Sequence, residues 1–485
     1  MLMIKAGLAY IIFFVFLLFA FVTVNPNASL AASSDIVAKF TATRLVGPAP
    51  LAVMFDATLT STSSDMDTFR EASYTFDFGD DAASIWPHSG QPMTIQSGSP
   101  LAAHVYDRPG NYTIRLRAQL PDGAHSEAVL SIAVQDPAMI FPGVRTICVS
   151  PSELFYGCPE GALRANQLPR TYAGKRVLLN RGESFGTISI NRNSNDIIIG
   201  SYGIGPKPLV ADVLINTGRL NDSSADDVTI MDLNIQNGIR HSGSGSRYLI
   251  YRNTLSVLGG DNKIEIGGAL DFHAERNPRI QFFQPREIFI VDNIISGSAR
   301  SGQKPHLNVS GAGSHLVIMG NDIGRAEEHA VRLFAVHKGF IAHNILRGIA
   351  HSASPTQPSI RHALKIHSGG LLPYADAWSD TRGKWATRYL VLADNILGDT
   401  ENNGSWTIAI APQNKDLGTD EGIEDVIIER NRFVRGPHTN TDAWLVGRRI
   451  TMRNNTRSDG GPLNLSIGNA SPSLPKDWLG PYYRQ

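Results

Sequence analysis

Leu316-Val317-Ile318-Met319-Gly320-Asn321-Asp322-Ile323 decides the fold of most of this chain: apolar residues in a short run, then Asn, then another apolar position. The pattern returns as Tyr248-Leu249-Ile250-Tyr251-Arg252-Asn253, Ile288-Phe289-Ile290-Val291-Asp292-Asn293-Ile294 and Phe340-Ile341-Ala342-His343-Asn344-Ile345. It returns again as Leu390-Val391-Leu392-Ala393-Asp394-Asn395-Ile396, Val426-Ile427-Ile428-Glu429-Arg430-Asn431 and Ile450-Thr451-Met452-Arg453-Asn454-Asn455. Val228-Thr229-Ile230-Met231-Asp232-Leu233 fits with Leu in the Asn place. The shortest interval between these positions is 253 − 233 = 20 residues, and the others are longer and irregular. A floor near this length with variable excess is what stacked coils give, because insertions go into loops. Asn suits the corner because it tolerates the left-handed turn conformation and its amide can bond to the Asn of the next coil. A β-propeller would need regular blades of about forty residues with paired turns.

These repeats resemble the pectate-lyase-like superfamily of right-handed parallel β-helices, and the resemblance implies such a solenoid over residues 140–485. Residues 36–135 differ: short strands such as Ala52-Val53-Met54-Phe55 and Tyr112-Thr113-Ile114-Arg115-Leu116 are set between turn signals, as in a β-sandwich. Tyr74-Thr75-Phe76-Asp77-Phe78-Gly79-Asp80, His104-Val105-Tyr106 and Pro109-Gly110-Asn111-Tyr112-Thr113-Ile114 resemble the signature segments of PKD domains, with Tyr74 where that family more often has Trp. That resemblance implies a spacer or weak glycan or protein binder, dispensable for chemistry. The expected class is therefore all-β, a right-handed parallel β-helix with an N-terminal PKD-type β-sandwich.

Residues 1–32 read as a signal peptide: Lys5 precedes an uncharged apolar run, and Ser29 and Ala31 fit the small-x-small cleavage pattern. An uncleaved N-terminal anchor is the alternative, and the chain meets a membrane only in that case. Either way the protein is expected to be secreted, periplasmic or attached to the cell envelope. Export favours a disulfide between Cys148 and Cys158, with two buried thiols as the alternative. The formal net charge is zero, so nothing points to nucleic acid.

A second strand recurs about once per coil: Ala269-Leu270-Asp271-Phe272-His273, His306-Leu307-Asn308-Val309-Ser310, Ala330-Val331-Arg332-Leu333-Phe334, Ala363-Leu364-Lys365-Ile366-His367 and Thr407-Ile408-Ala409-Ile410-Ala411. Aligned in this register, one outward column reads Asp271, Asn308, Arg332, Lys365, Ala409, and its neighbour reads His273, Ser310, Phe334, His367, Ala411. Coils lie about 4.8 Å apart, so Arg332 and Lys365 are expected side by side. Their repulsion is expected to lower the pKa of Lys365, and an anion between them would relieve it. His329, His337, His343, His351, His362 and His367 crowd the same stretch.

This constellation suits uronate chemistry. Arg332 would neutralise the substrate carboxylate in two-point fashion, Lys365 would take the proton at C5, and His367 would act as acid or second base. Asp271, His273, Asn308, His329, His337 and His362 are candidate substrate contacts. Trp378 and Trp385, in the insertion after His367, are candidate sugar-stacking residues. The alternative is a solvated basic ladder neutralised by Glu327, Glu328 or Asp271. Paired Asp residues of the polygalacturonase type do not stand out, which disfavours hydrolysis. Asp226-Asp227 and Glu327-Glu328 could bind Ca²⁺, but without compelling ligand spacing, and no metal site is assigned. The expected function is a lyase cleaving an acidic, uronate-containing polysaccharide; the alternative is a non-catalytic glycan-binding or surface-adhesion protein.

Overall fold

The computed structural model describes residues 35–216, 225–242, 245–255, 264–266, 286–296, 307–326, 329–348, 362–367, 387–401, 406–411 and 423–468. The N-terminal segment, Asp271, His273, Glu327, Glu328, His351, Trp378 and Trp385 lie outside these residues. The chain is all-β, a right-handed parallel β-helix behind a small sandwich.

The sandwich packs a five-stranded sheet on a three-stranded one. The first runs Val46–Pro48, His125–Gln135, Gly110–Gln119, Ser73–Asp77, Ile95–Gly98, and the second Thr41–Ala42, Leu51–Asp56, Leu101–Tyr106. Phe55, Tyr74, Phe76, Phe78 and Tyr106 fill the space between them. The Cys148–Cys158 disulfide lies at the start of the solenoid, in a small cluster with Leu178 and Tyr202.

From Thr146–Val149 onward every strand pairing among the described residues is parallel, and three sheets run along the solenoid. The first holds strands such as Ser246–Tyr251, Arg286–Val291, Thr387–Ala393 and Ile423–Glu429. The second holds two-residue strands such as Ile294–Ile295, Asp322–Ile323 and Ile345–Leu346. The third holds Ile264–Ile266, His362–His367, Trp406–Ile410 and Thr441–Leu445. The long strands Leu307–Met319 and His329–Ala342 bend from the third sheet into the first.

The Asn column is a continuous buried ladder. Asn253, Asn293, Asn321, Asn344 and Asn395 each donate from Nδ2 to Oδ1 of the next Asn, at 3.2, 3.0, 2.9, 2.9 and 2.9 Å. Asn431 ends it on Asn455, at 3.0 Å, rather than on Asn454. The left-handed residue is not the ladder Asn but the one before it: Arg252, Asp292, Gly320, His343, Asp394, Arg430 and Asn454 all have positive φ. The corner therefore divides its work, one residue turning the chain and the next satisfying buried backbone groups. Leu233 opens the stack by donating its backbone N–H to Asn253 Oδ1 at 3.1 Å.

The sandwich is not a free spacer. Its three-stranded sheet lies directly on the outer face of the first solenoid sheet. Val53 and Phe55 fill the sandwich interior, while Ala52 and Met54 face the solenoid with Leu101, Ala103, Phe69 and Trp86. They meet Leu249, Tyr251, Phe289, Val317, Met319, Phe340, Val391 and Ile427. Polar ties surround this apolar patch. Lys338 pairs with Asp56 at 2.5 Å, Arg252 with Asp107 at 3.0 Å, Arg44 with Asp227, and Arg430 donates to Ser97 O at 2.7 Å. Trp86 stacks flat on His343, with centroids 5.0 Å apart and an interplanar angle of 6°. His343 also bonds Ser89 Oγ through Nδ1 at 2.8 Å and Gln96 Oε1 through Nε2 at 2.9 Å.

Candidate active site

The third sheet is where the sequence placed its basic pair. Val331 and Leu333, Leu364 and Ile366, and Ile408 and Ile410 point into the solenoid core, so the residues between them point outward. Arg332 stands opposite Lys365, and Lys365 opposite Ala409. Both charged side chains are half-buried. Adjacent coils thus hold two cations about 4.8 Å apart at the backbone.

The upstream part of the column differs from expectation by a two-residue slip. Arg332 pairs with Ser310 and not Asn308, and Ser310 pairs with Glu265. Asn308 is fully buried and donates from Nδ2 to Gly324 O at 2.6 Å, so it is structural. Glu265 pairs in turn with Arg240, which reaches Asp212 at 3.2 Å. The shift arises because the repeat on this sheet carries no corner Asn to mark register, leaving alternation as the guide.

His367 follows Lys365 by two residues but is buried, at 3 % exposure. Arg332 donates from Nε to His367 Nε2 at 3.3 Å, and Thr387 Oγ1 donates to His367 O at 3.1 Å. The ring nitrogen therefore receives the guanidinium and orients it. His329 and His362 are also buried, and burial holds the His329 imidazole well below its usual range, with His362, Lys365 and Arg332 adding to the effect. They belong to an aromatic stack rather than to an open surface. His329 lies 5.3 Å from His362, His362 lies 5.0 Å from Trp406, and Trp406 lies 4.9 Å from Trp444, centroid to centroid. His329, His362 and Trp406 are the first residues of three successive strands. His337 lies past the bend, in register with Arg388 on the docked sheet and edge-on to Tyr389 at 5.8 Å. It is not part of the basic column.

Of the acidic pairs, Asp227 is held by Arg44 and Arg247, and Asp226 accepts the backbone N–H of Ser246 at 2.7 Å. Among the described residues no group of three or more His, Cys, Asp or Glu has the geometry to hold a metal ion. Nor, among them, is any helix long and apolar enough to cross a membrane.

Residues 38–132 match the family model of the PKD domain. The sandwich is a PKD domain. No curated protein matches this sequence. Among solved structures, the chain is similar to PfbA, a surface adhesin of Streptococcus pneumoniae, at 13 % identity over 61 % of this chain and 79 % of that one, with a TM-score of 0.35. It is also similar to a family 28 exopolygalacturonase of Yersinia enterocolitica, at 9 % identity over 90 % of this chain and 100 % of that one, with a TM-score of 0.31. Both likenesses are remote.

Proposed function

We propose that this is an exported polysaccharide-active protein, and that it cleaves an acidic, uronate-containing glycan by β-elimination on the third sheet. The observation that carries this reading is the register pair Arg332–Lys365, two outward cations on adjacent coils. Such a pair is best relieved by an anion placed between them, and a uronate carboxylate is an anion of the right shape for guanidinium. Arg332, oriented by His367, would bind that carboxylate and stabilise the charge that develops when C5 loses its proton. Lys365, one rung away on the same column, would take the proton. The C5–H electrons form the C4–C5 double bond as the C4–O bond breaks, and the departing oxygen takes the proton that Lys365 has received. The PKD domain and the disulfide support export, because such bonds persist in oxidising compartments.

A binding role without turnover is the second reading. It is favoured by the Arg332 to His367 bond, which engages the ring nitrogen that would otherwise carry a proton to the leaving oxygen. Lys365→Ala and Arg332→Ala decide between them. Under the lyase reading each abolishes the rise in ultraviolet absorbance that a new conjugated double bond gives on uronate glycans. Lys365→Ala should leave the thermal transition nearly unchanged, within about 0.5 kcal/mol, whereas Arg332→Ala strips buried His367 of a donor and should also cost about 1–3 kcal/mol of stability. Binding that both variants weaken, with no absorbance rise even in the wild type, would establish the second reading. New reducing ends without absorbance would mean hydrolysis.

A further inference from the structure

The N-terminal end of the solenoid carries a loop with an unusual outer face. Ile147 and Val149 point into the core, so Cys148 points outward from the first sheet. Loop 150–162 folds back over that outer face, where Cys158 bonds Cys148 and Phe155 and Ala162 pack beside Leu178 and Tyr202. Tyr202 Oη donates to Leu154 O at 2.9 Å, and the Leu154 N–H to Ser150 Oγ at 2.8 Å. Ser150 Oγ and the Ser152 N–H both donate to Glu183 Oε1, at 3.0 and 3.1 Å. Firmly held as it is, the loop leaves large apolar side chains in water: Leu154 is 58 % exposed and Tyr156 80 %, beside Ile204 at 81 %. These are neighbours, because the backbone of Gly157 lies against that of Gly203. Val144 and Leu163, also exposed, continue the strip toward the end of the rod, where Gly143 lies against Gly161.

The same end holds an excess of positive charge. The whole chain is neutral, whereas residues 137–207 contain eight Lys and Arg against four Asp and Glu. The cations beside the strip take neutral partners. Arg181 donates to Gly205 O at 3.3 Å, next to Ile204, and Arg164 lies over the Phe155 ring, 5.6 Å from its centroid. Arg145 donates to Gly174 O at 3.0 Å, and Lys175 to Thr171 O at 2.8 Å. A guanidinium held by one edge keeps its charge and its other N–H donors for an anion. Only two rungs separate Thr146–Val149 from Ile197–Tyr202, so strip and cations lie within about 10 Å of the end of the rod.

We propose that this end of the solenoid docks on an anionic lipid bilayer, with Leu154, Tyr156 and Ile204 entering the interface and Arg164 and Arg181 on the lipid phosphates. Aliphatic and phenol side chains gain by entering the boundary between headgroups and acyl chains, and cations gain at the anionic surface. A sugar chain could use Tyr156 as a platform, but it would set its hydroxyls against Leu154, Ile204 and Leu163, where they find no hydrogen-bond partner. Exposed Glu153 and Glu160, on the same loop, oppose an anionic surface. The surrounding cations outnumber them, so the attachment is reversible and weakens with salt. This contact uses neither residues 1–32 nor the basic pair of the third sheet. It would hold the chain at a membrane after a signal peptide is removed, whatever the third sheet does.

The test is co-sedimentation with vesicles of phosphatidylcholine alone or mixed equally with phosphatidylglycerol. It uses the chain without residues 1–32, so that the apolar N-terminal run cannot itself insert. The chain should bind the mixed vesicles, leave them as salt is raised, and bind phosphatidylcholine weakly. Tyr156→Ser and Ile204→Ser should each lower binding to mixed vesicles about tenfold, the scale of one apolar side chain removed from water. Arg164→Gln and Arg181→Gln should each lower it about fivefold, the effect of one cation at such a surface. Ile467→Ser, at an exposed position on the far end of the solenoid, should change nothing. Tyr156, Ile204 and Ile467 lie outside the core, so these variants should keep the wild-type thermal transition. No binding of mixed vesicles at low salt overturns the proposal, as does binding that Tyr156→Ser and Ile204→Ser leave intact or that Ile467→Ser weakens as much. Equal binding to the two kinds of vesicle overturns the anionic surface. A dimer in solution, or capture of soluble polygalacturonate, that Tyr156→Ser and Ile204→Ser abolish while vesicles stay unbound would give the strip to a second copy or to a glycan and overturn the bilayer.

Discussion

Trp86→Ala tests whether the PKD domain is part of one structure with the solenoid. Trp86 is 6 % exposed and lies between the two units, flat on His343 and over the backbone of Gly320. A Trp buries about 150–250 Å². At about 25 cal/mol per Å² this is an upper bound of about 4–6 kcal/mol, and measured truncations of large aromatics fall at about 3–5 kcal/mol. Part of the ring's contact lies within the sandwich, so we expect a loss of about 3 kcal/mol in the free energy of separating the two units. The assay is urea denaturation of the full chain, read by limited proteolysis at the linker near Pro137–Ile140 and by hydrogen exchange on the Thr387–Ala393 strand. In the variant the sandwich should detach at lower urea than the solenoid core unfolds. Gly320 supplies an internal control. Its φ is +72° and an added Cβ would run into both Asp292 Oδ1 and the Trp86 ring. Gly320→Ala should therefore destabilise strongly in the wild type and less in the Trp86→Ala background, where the left-handed penalty of about 1–2 kcal/mol and the contact with Asp292 remain. Effects of Trp86→Ala within about 0.5 kcal/mol, the range of ordinary surface changes, would refute a docked domain.

The other predictions concern the ladder and pH. Asn344→Ala removes the bridge between Asn321 and Asn395 and leaves the N–H of Asn321 without its 2.9 Å acceptor in a fully buried site. About 2–4 kcal/mol should be lost, measured by thermal unfolding, whereas Asn455→Ala at the half-buried end should lose less. Burial pushes the His343 imidazole down to about 4, with Asp394 opposing and Arg430 adding to the fall. The folded state then holds it neutral while the unfolded chain protonates below about 6.5, so this stability is present above that pH and lost as pH falls toward about 4. The gap between wild type and His343→Gln should shrink by about 3 kcal/mol over that window. Burial pushes the Asp292 carboxyl the other way, up to about 7, so Asp292→Asn should show the opposite slope over about pH 4–7. A gap constant with pH for His343→Gln would remove the proton linkage from the interface.

Much of the solenoid is legible in the sequence because one residue type marks each coil. A buried Asn must satisfy both amide groups, so it recurs wherever the stack continues, and the parallel pairing follows from it. The register of Arg332 and Lys365 was also legible, since His329-Ala330-Val331-Arg332-Leu333 and His362-Ala363-Leu364-Lys365-Ile366 repeat each other. Their partner Ser310 was not. The strand Leu307–Met319 is apolar or small on both faces, and alternation alone permits a two-residue slip. His329 and His362 read as candidate substrate contacts, whereas the structure holds them as buried rings in a stack. The stack's other members, Trp406 and Trp444, sit in separate coils, and no local spacing connects them.

The docking of the PKD domain had a signal that period-two reading passes over. A strand with one solvent face alternates, but Leu51-Ala52-Val53-Met54-Phe55 does not, and every residue of Leu51–Asp56 is buried. The solenoid strands it meets show the same trait: in Leu316-Val317-Ile318-Met319, Leu316 and Ile318 face the interior while Val317 and Met319 face the sandwich. Two sets of doubly apolar strands in one chain imply that each covers the other, since neither could leave such a stripe in water without inviting association. This cover also limits where the proposed glycan can lie. The first sheet is occupied by the PKD domain, and the second consists of two-residue strands too narrow to cradle a chain. That leaves the third sheet, with Arg332 and Lys365 side by side and half-buried, as the one on which the proposed function places its ligand.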